Sequence, residues 1–81
     1  MSRTEELAAN LQAVRTRIAR ACQAAGRPPA TLIVVTKFFG ADDVRRLAGL
    51  GVTDVGENRD QEAAAKHAEC RDLPLTWHFI G

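Results

Sequence analysis

Neither sign of charge prevails in this sequence: 11 lysines and arginines stand against 10 aspartates and glutamates, for a formal net charge of +1. Because the basic residues are interspersed with acidic ones, there is no electrostatic footprint for nucleic acid. Cysteine is scarce as well. Cys22 and Cys70 lie far apart, with no second pair and no metal-type spacing, and they read as reduced thiols of a cytoplasmic protein. A long apolar run is missing, since the segment after Met1–Glu6 is amphipathic, so neither a signal peptide nor a membrane span is expected. The sequence has no Walker A motif and no nucleophile elbow. Gly49-Leu50-Gly51 falls between a helix and a strand, where its amides cannot meet a pyrophosphate, and reads as helix punctuation. With 81 residues the chain is one domain at most, too small for the core of a large enzyme.

Against these absences stands a regular alternation of elements. Ser2 followed by Glu5 fits a capping box. Leu7, Leu11, Val14, Ile18 and Ala21 or Cys22 then recur at helical intervals, so a first helix is predicted to end near Ala25, before Gly26 and Pro28-Pro29. That stripe is too short for a coiled-coil seam and fits packing on a sheet. Leu32-Ile33-Val34-Val35 is a continuous aliphatic run of the kind found in parallel strands covered on both faces, and it leads through Thr36 to Lys37. Asp42 and Asp43 open a second helix whose apolar face is Val44, Leu47, Ala48 and Leu50, closed by Gly51. Val52–Val55 is a short second strand. Asn58 with Gln61 resembles the start of a third helix, over Arg59–Glu69, whose apolar face is only alanines. Leu75–Ile80 is a third strand.

Strands that begin about every 22 residues, each preceded by a helix, make a parallel sheet, because that spacing accommodates one crossover helix. Right-handed crossovers between neighbouring strands place the connecting helices on one side and leave the other face bare. The strands are nevertheless apolar on both faces, and a three-stranded sheet has two open edges. A closed (β/α)8 barrel resolves both conflicts but needs about 200 residues or more. The expectation is therefore an α/β chain, residues 1–81, equivalent to the N-terminal part of a TIM barrel truncated after its third strand.

Three polar residues fall near the carboxyl ends of the three strands, Lys37, Asn58 and His78, where barrels of this kind place their chemistry. A lysine between an aliphatic run and Phe38-Phe39 is poorly solvated, which favours the neutral, nucleophilic amine. Taken singly, such a lysine usually extends into water and a strand histidine is usually structural; convergence on one rim is what singles them out. His67, on the polar third helix, reads as solvated.

The segments Val35-Thr36-Lys37, Val55-Gly56-Glu57-Asn58-Arg59-Asp60-Gln61-Glu62 and Trp77-His78-Phe79-Ile80-Gly81 together resemble three successive signatures of the pyridoxal phosphate homeostasis proteins, barrels similar to the N-terminal domain of alanine racemase. The resemblance implies pyridoxal 5′-phosphate as cofactor, held as a Schiff base on Lys37, with Asn58 against it and Glu57 and His78 at the rim. It implies a cytoplasmic carrier that delivers cofactor to apo-enzymes, with no catalytic residues and no racemase turnover. The family's phosphate-binding residues lie beyond the stretch matched by these 81, so weak binding or none is expected of them alone. A second reading, from the bare strands, is a small non-catalytic module that associates with itself through its exposed sheet.

Overall fold

A computed structural model describes residues 1–80, so Gly81, the end of the third signature, lies outside the described residues. The chain divides into two compact units, residues 1–32 and the segment from Ile33 onward.

The first unit is built on α1, Arg3–Ala24. Its start is the predicted capping box: the Ser2 hydroxyl accepts from the Glu5 amide at 3.1 Å, and the Glu5 carboxylate accepts from the Ser2 amide at 3.4 Å. At its end Gly26 adopts φ +65°, the Gly26 amide donates to the Gln23 carbonyl and the Arg27 amide to the Cys22 carbonyl. This pair of bonds is a Schellman motif, which explains why a glycine stands there. Of the expected apolar stripe, Leu7 and Leu11 are buried, whereas Val14 is 42% exposed.

The second unit holds, in chain order, β1 (Val34–Val35), α2 (Ala41–Gly49), β2 (Asp54–Glu57), α3 (Gln61–Glu69) and β3 (Thr76–Phe79). Among the described residues the sheet has three strands, ordered β1-β2-β3 and all parallel, as the alternation predicts. Three boundaries differ from the sequence reading, each for a visible reason. β1 begins only at Val34, after Leu32 and Ile33, and stops before Lys37 because, past Val35, its ladder is reduced to one bond from the Thr36 amide to the Gly56 carbonyl, after which the chain turns. β2 starts at Asp54 because the Val52 amide donates to the Leu47 carbonyl, closing the end of α2. The cap of α3 is Asp60 and not Asn58: the Asp60 carboxylate accepts from the Ala63 amide at 2.8 Å, while Asn58 continues directly out of β2.

Alternation along the strands separates two faces. Val55 and Glu57 of β2 point to the side of the crossover helices, where Val44, Leu47, Val52, Ala63 and Cys70 are also buried. Each fully buried valine or leucine there contributes about 1.5–3 kcal/mol by removing apolar surface from water. Arg45 ties α2 to the end of α3, donating to both Asp72 carboxylate oxygens at 2.9 and 2.8 Å and to the Glu69 carbonyl. The opposite face is bare, as expected of single-sided crossovers. Ile33, Val35 and Ile80 are 39%, 45% and 52% exposed there, and they close around Gly56, where a Cβ would meet Ile33 Cγ2 and Ile80 Cδ1 at 3.4 Å.

Candidate functional site

The carboxyl ends of β1 and β2 set the frame of the site. Val35 pairs with Gly56, the last pair of the β1-β2 register; Lys37 follows in the turn two residues beyond Val35, and Asn58 directly follows β2. Lys37 begins a tight turn closed by the Phe39 amide donating to the Thr36 carbonyl at 2.9 Å. It is half-buried, and its ammonium lies 5.2 Å from the centre of the Phe38 ring, which is itself 87% exposed. Phe38 therefore does not enclose the amine. Lys37 opens onto a cleft of about 480 Å³ lined also by Phe38, Phe39, Glu62 and Lys66.

His78 lies within β3. It pairs with Gly56, two residues before Asn58 on the neighbouring strand, and its Nε2 lies 2.9 Å from an Asp54 carboxylate oxygen. The Thr53 hydroxyl and then His78 hold the Asp54 carboxyl below its ordinary range, so it is ionised at neutral pH. An ionised carboxylate only accepts, which puts a proton on His78 Nε2 in this contact. Asp54 gave no motif signal in the sequence. Its place two residues before Gly56 on the same strand face was the available clue.

Glu57 departs from the rim position that the resemblance implied. It is 2% exposed and turned to the helix side, where its carboxylate accepts from Lys66 Nζ at 2.9 Å and from the Thr36 hydroxyl. Lys66 Nζ also donates to the Thr36 carbonyl at 2.9 Å. Lys66 is thus buried on a helix whose apolar face had seemed to be alanine alone. The signal was the spacing Ala63, Lys66, Cys70, three and four residues apart, which is the buried stripe of α3. His67 is exposed as expected, with its ring edge-on to Trp77 at 5.1 Å.

Chemically, the strand ends offer a half-buried primary amine at Lys37, the amide side chain of Asn58 and an imidazole held by Asp54, with the apolar residues around Gly56 on the sheet face opposite the helices. Among the described residues no cluster of histidine, cysteine and carboxylate side chains could hold a metal, and no helix is long and apolar enough to cross a membrane.

No family model and no solved structure matches the chain. Curated proteins do. It is 52% identical over 77 residues to the pyridoxal phosphate homeostasis protein of Pseudomonas aeruginosa, covering 93% of this chain and 34% of that one. The protein of the same name from Mycobacterium tuberculosis is 43% identical over 91 aligned positions, covering 98% and 35%. For the one from Aquifex aeolicus the identity is 40% over 73 residues, covering 88% and 32%. The chain spans about a third of the length of the curated relatives it matches. Over nearly all of its own length, it is a homologue of the pyridoxal phosphate homeostasis proteins.

Proposed function

We propose that this chain takes part in the intracellular homeostasis of pyridoxal 5′-phosphate by holding the cofactor covalently on Lys37. The observation that carries the reading is that Lys37 and Asn58 follow the carboxyl ends of two neighbouring parallel strands, the end of the sheet that α/β barrels use for chemistry. The names of the relatives supply the identity of the ligand.

The residues present fit the group. Gly56 carries no side chain amid Ile33, Val35 and Ile80, leaving a low apolar floor that suits a flat ring. Lys37 would hold the cofactor, with Asn58 and His78 flanking it. When bound, the cofactor supplies an aldehyde that condenses with a primary amine and releases water, and the half-buried Lys37 is the amine in reach of solvent. Asp54 accepts from His78 Nε2 and so holds the orientation of that ring. A dianionic phosphate calls for helix N-terminal amides or a backbone nest, and barrels supply these after their seventh and eighth strands. We therefore read these residues as part of a (β/α)8 barrel of the alanine racemase N-terminal type, and the 81 residues alone should bind only weakly, enough for covalent trapping to report. The role is that of a cytoplasmic carrier for apo-enzymes, not of a racemase.

Mixing the chain with pyridoxal 5′-phosphate, reducing with borohydride and mapping the modified peptide tests this. Because Lys66 is buried and paired, silence there would follow from burial alone, so the proper internal reference is the α-amine of Met1. Label on Lys37 above that reference, absent from Lys37→Ala, is expected; label no greater than the reference would refute attachment at Lys37.

A second reading is favoured by the exposure of Ile33, Val35 and Ile80: a module that pairs with a second copy of itself through the bare face. A monomer with one cooperative unfolding transition, by sedimentation and denaturation, would count against it.

A further inference from the structure

We infer that Lys66 is a positioning residue for the Lys37 site, an inference that rests on the reading of Lys37 as the attachment residue. One buried ammonium on α3 joins the two strand ends that carry the rim residues. It donates to the Thr36 carbonyl, which belongs to the peptide unit leading into Lys37, and to the Glu57 carboxylate, whose backbone leads into Asn58. A peptide unit is planar, so fixing the Thr36 oxygen fixes the nitrogen of Lys37 as well. The same carbonyl accepts from the Phe39 amide, so it also anchors the turn on which Lys37 sits. The Thr36 hydroxyl donates to the same Glu57 carboxylate and closes the cluster. No buried side-chain nitrogen or oxygen among the described residues lacks a partner.

This connection matters because β1 is so short. Two residues in the ladder and one bond beyond it, from the Thr36 amide, give the end of β1 few other fixings. Lys66 adds one from a different element, and with it α3 sets the spacing between Lys37 and Asn58. A methionine at this position would keep most of the volume and lose both donated bonds.

Lys66→Met by itself leaves Glu57 as a buried charge without its cation, a strongly destabilising change, so the informative variant is Glu57→Gln with Lys66→Met, which removes both charges and the bond to Thr36. Three quantities are read on the 81-residue chain: the urea midpoint, amide hydrogen exchange at Thr36, Phe39 and neighbouring positions, and borohydride-trapped labelling of Lys37 by pyridoxal 5′-phosphate relative to the Met1 α-amine. The double variant is expected to keep a cooperative transition while exchange at Phe39 quickens about tenfold or more. Relative labelling of Lys37 falls about tenfold, in line with the cost of small displacements at a reacting centre. Lys66→Arg, which keeps the charge and the donors that Glu57 and Thr36 accept from, is expected to keep more of each than the double variant does. Unchanged exchange and labelling in the double variant would overturn the inference, as would its global unfolding, which would make Lys66 a residue of overall stability. If the wild-type chain shows no label on Lys37, the cofactor reading fails, and the exchange data still decide whether Lys66 holds the two strand ends.

Discussion

Replacing Gly56 by alanine separates the stability of the bare sheet face from its proposed use. Gly56 does not have a positive φ, so alanine fits its backbone without strain. Removing a glycine restricts the unfolded chain, which stabilises by about 0.4–1 kcal/mol. The added methyl would touch Ile33 Cγ2 and Ile80 Cδ1 at 3.4 Å and Val35 Cγ2 at 3.6 Å. Three such carbon contacts contribute about 0.3–0.6 kcal/mol of dispersion. The two closer contacts are slightly tight, but they are side-chain methyls of residues 39% and 52% exposed, which can move outward. The sum is a gain of about 1 kcal/mol, or a rise in Tm of about 4–8 °C for a domain of this size. The methyl also fills the floor on which the cofactor is proposed to lie, so labelling of Lys37 should fall as stability rises. Thermal melting by circular dichroism and the borohydride assay measure the two effects on one sample. A lower Tm would refute the packing argument, and a higher Tm with unchanged labelling would show that the cofactor does not use this face.

Three further outcomes are expected. Asp60→Ala should cost about 1 kcal/mol of unfolding free energy by uncapping α3, whereas Asn58→Ala should leave that helix intact; equal losses in urea titrations would contradict the cap assignment. Burial raises the Cys70 thiol above its ordinary value of 9.0, so in native protein at neutral pH a maleimide should modify the partly exposed Cys22 first, and equal rates would show that α3 opens readily. Asp54 and Asp72 both titrate below their ordinary 3.8, by hydrogen bonds from Thr53 and from Arg45 respectively. The unfolded chain therefore binds their protons first as pH falls, and the stability they contribute is present above about pH 4 and lost through their lower folded values. Urea midpoints measured from pH 5 downward should decline less steeply in Asp54→Asn and Asp72→Asn; slopes equal to wild type would rule out the linkage.

Local chemistry made much of the fold legible. Ser2 and Glu5 announce a helix start because two side chains satisfy two backbone amides within four residues, and Gly26 announces its end because the turn there takes a positive φ. The parallel order was readable from spacing, since one crossover helix fits between successive strands. Where the reading missed, the deciding partner was distant in sequence. Asn58 and Asp60 are both good caps, and only the extension of β2 through Glu57 decides between them. Lys66 looked like one more charge on a polar helix; its burial depends on Glu57, nine residues earlier, and on the Thr36 carbonyl thirty residues earlier. Glu57 follows the same logic. Two residues after the buried Val55 it had to share that face, but a carboxylate is stable there only with a partner that the strand pattern does not reveal. Lys37 and Asn58 stand out as polar residues just past the ends of two paired strands, and spacing alone carries that much.

The sheet register also carries a kinetic consequence. Every strand pairs with the next in sequence, and each pairing joins positions about 22 residues apart, so the closures have nearly equal entropic costs and none waits for a remote segment. A chain emerging from the ribosome can complete the β1-α2-β2 unit before β3 is made, then add α3 and β3 to the edge already formed. The contact from Lys66 to Thr36 arrives only with that second addition. The Lys37 turn would thus gain its last fixing after its own strand is paired, and the rim would be the late-forming part of a sheet that grows in the order of synthesis.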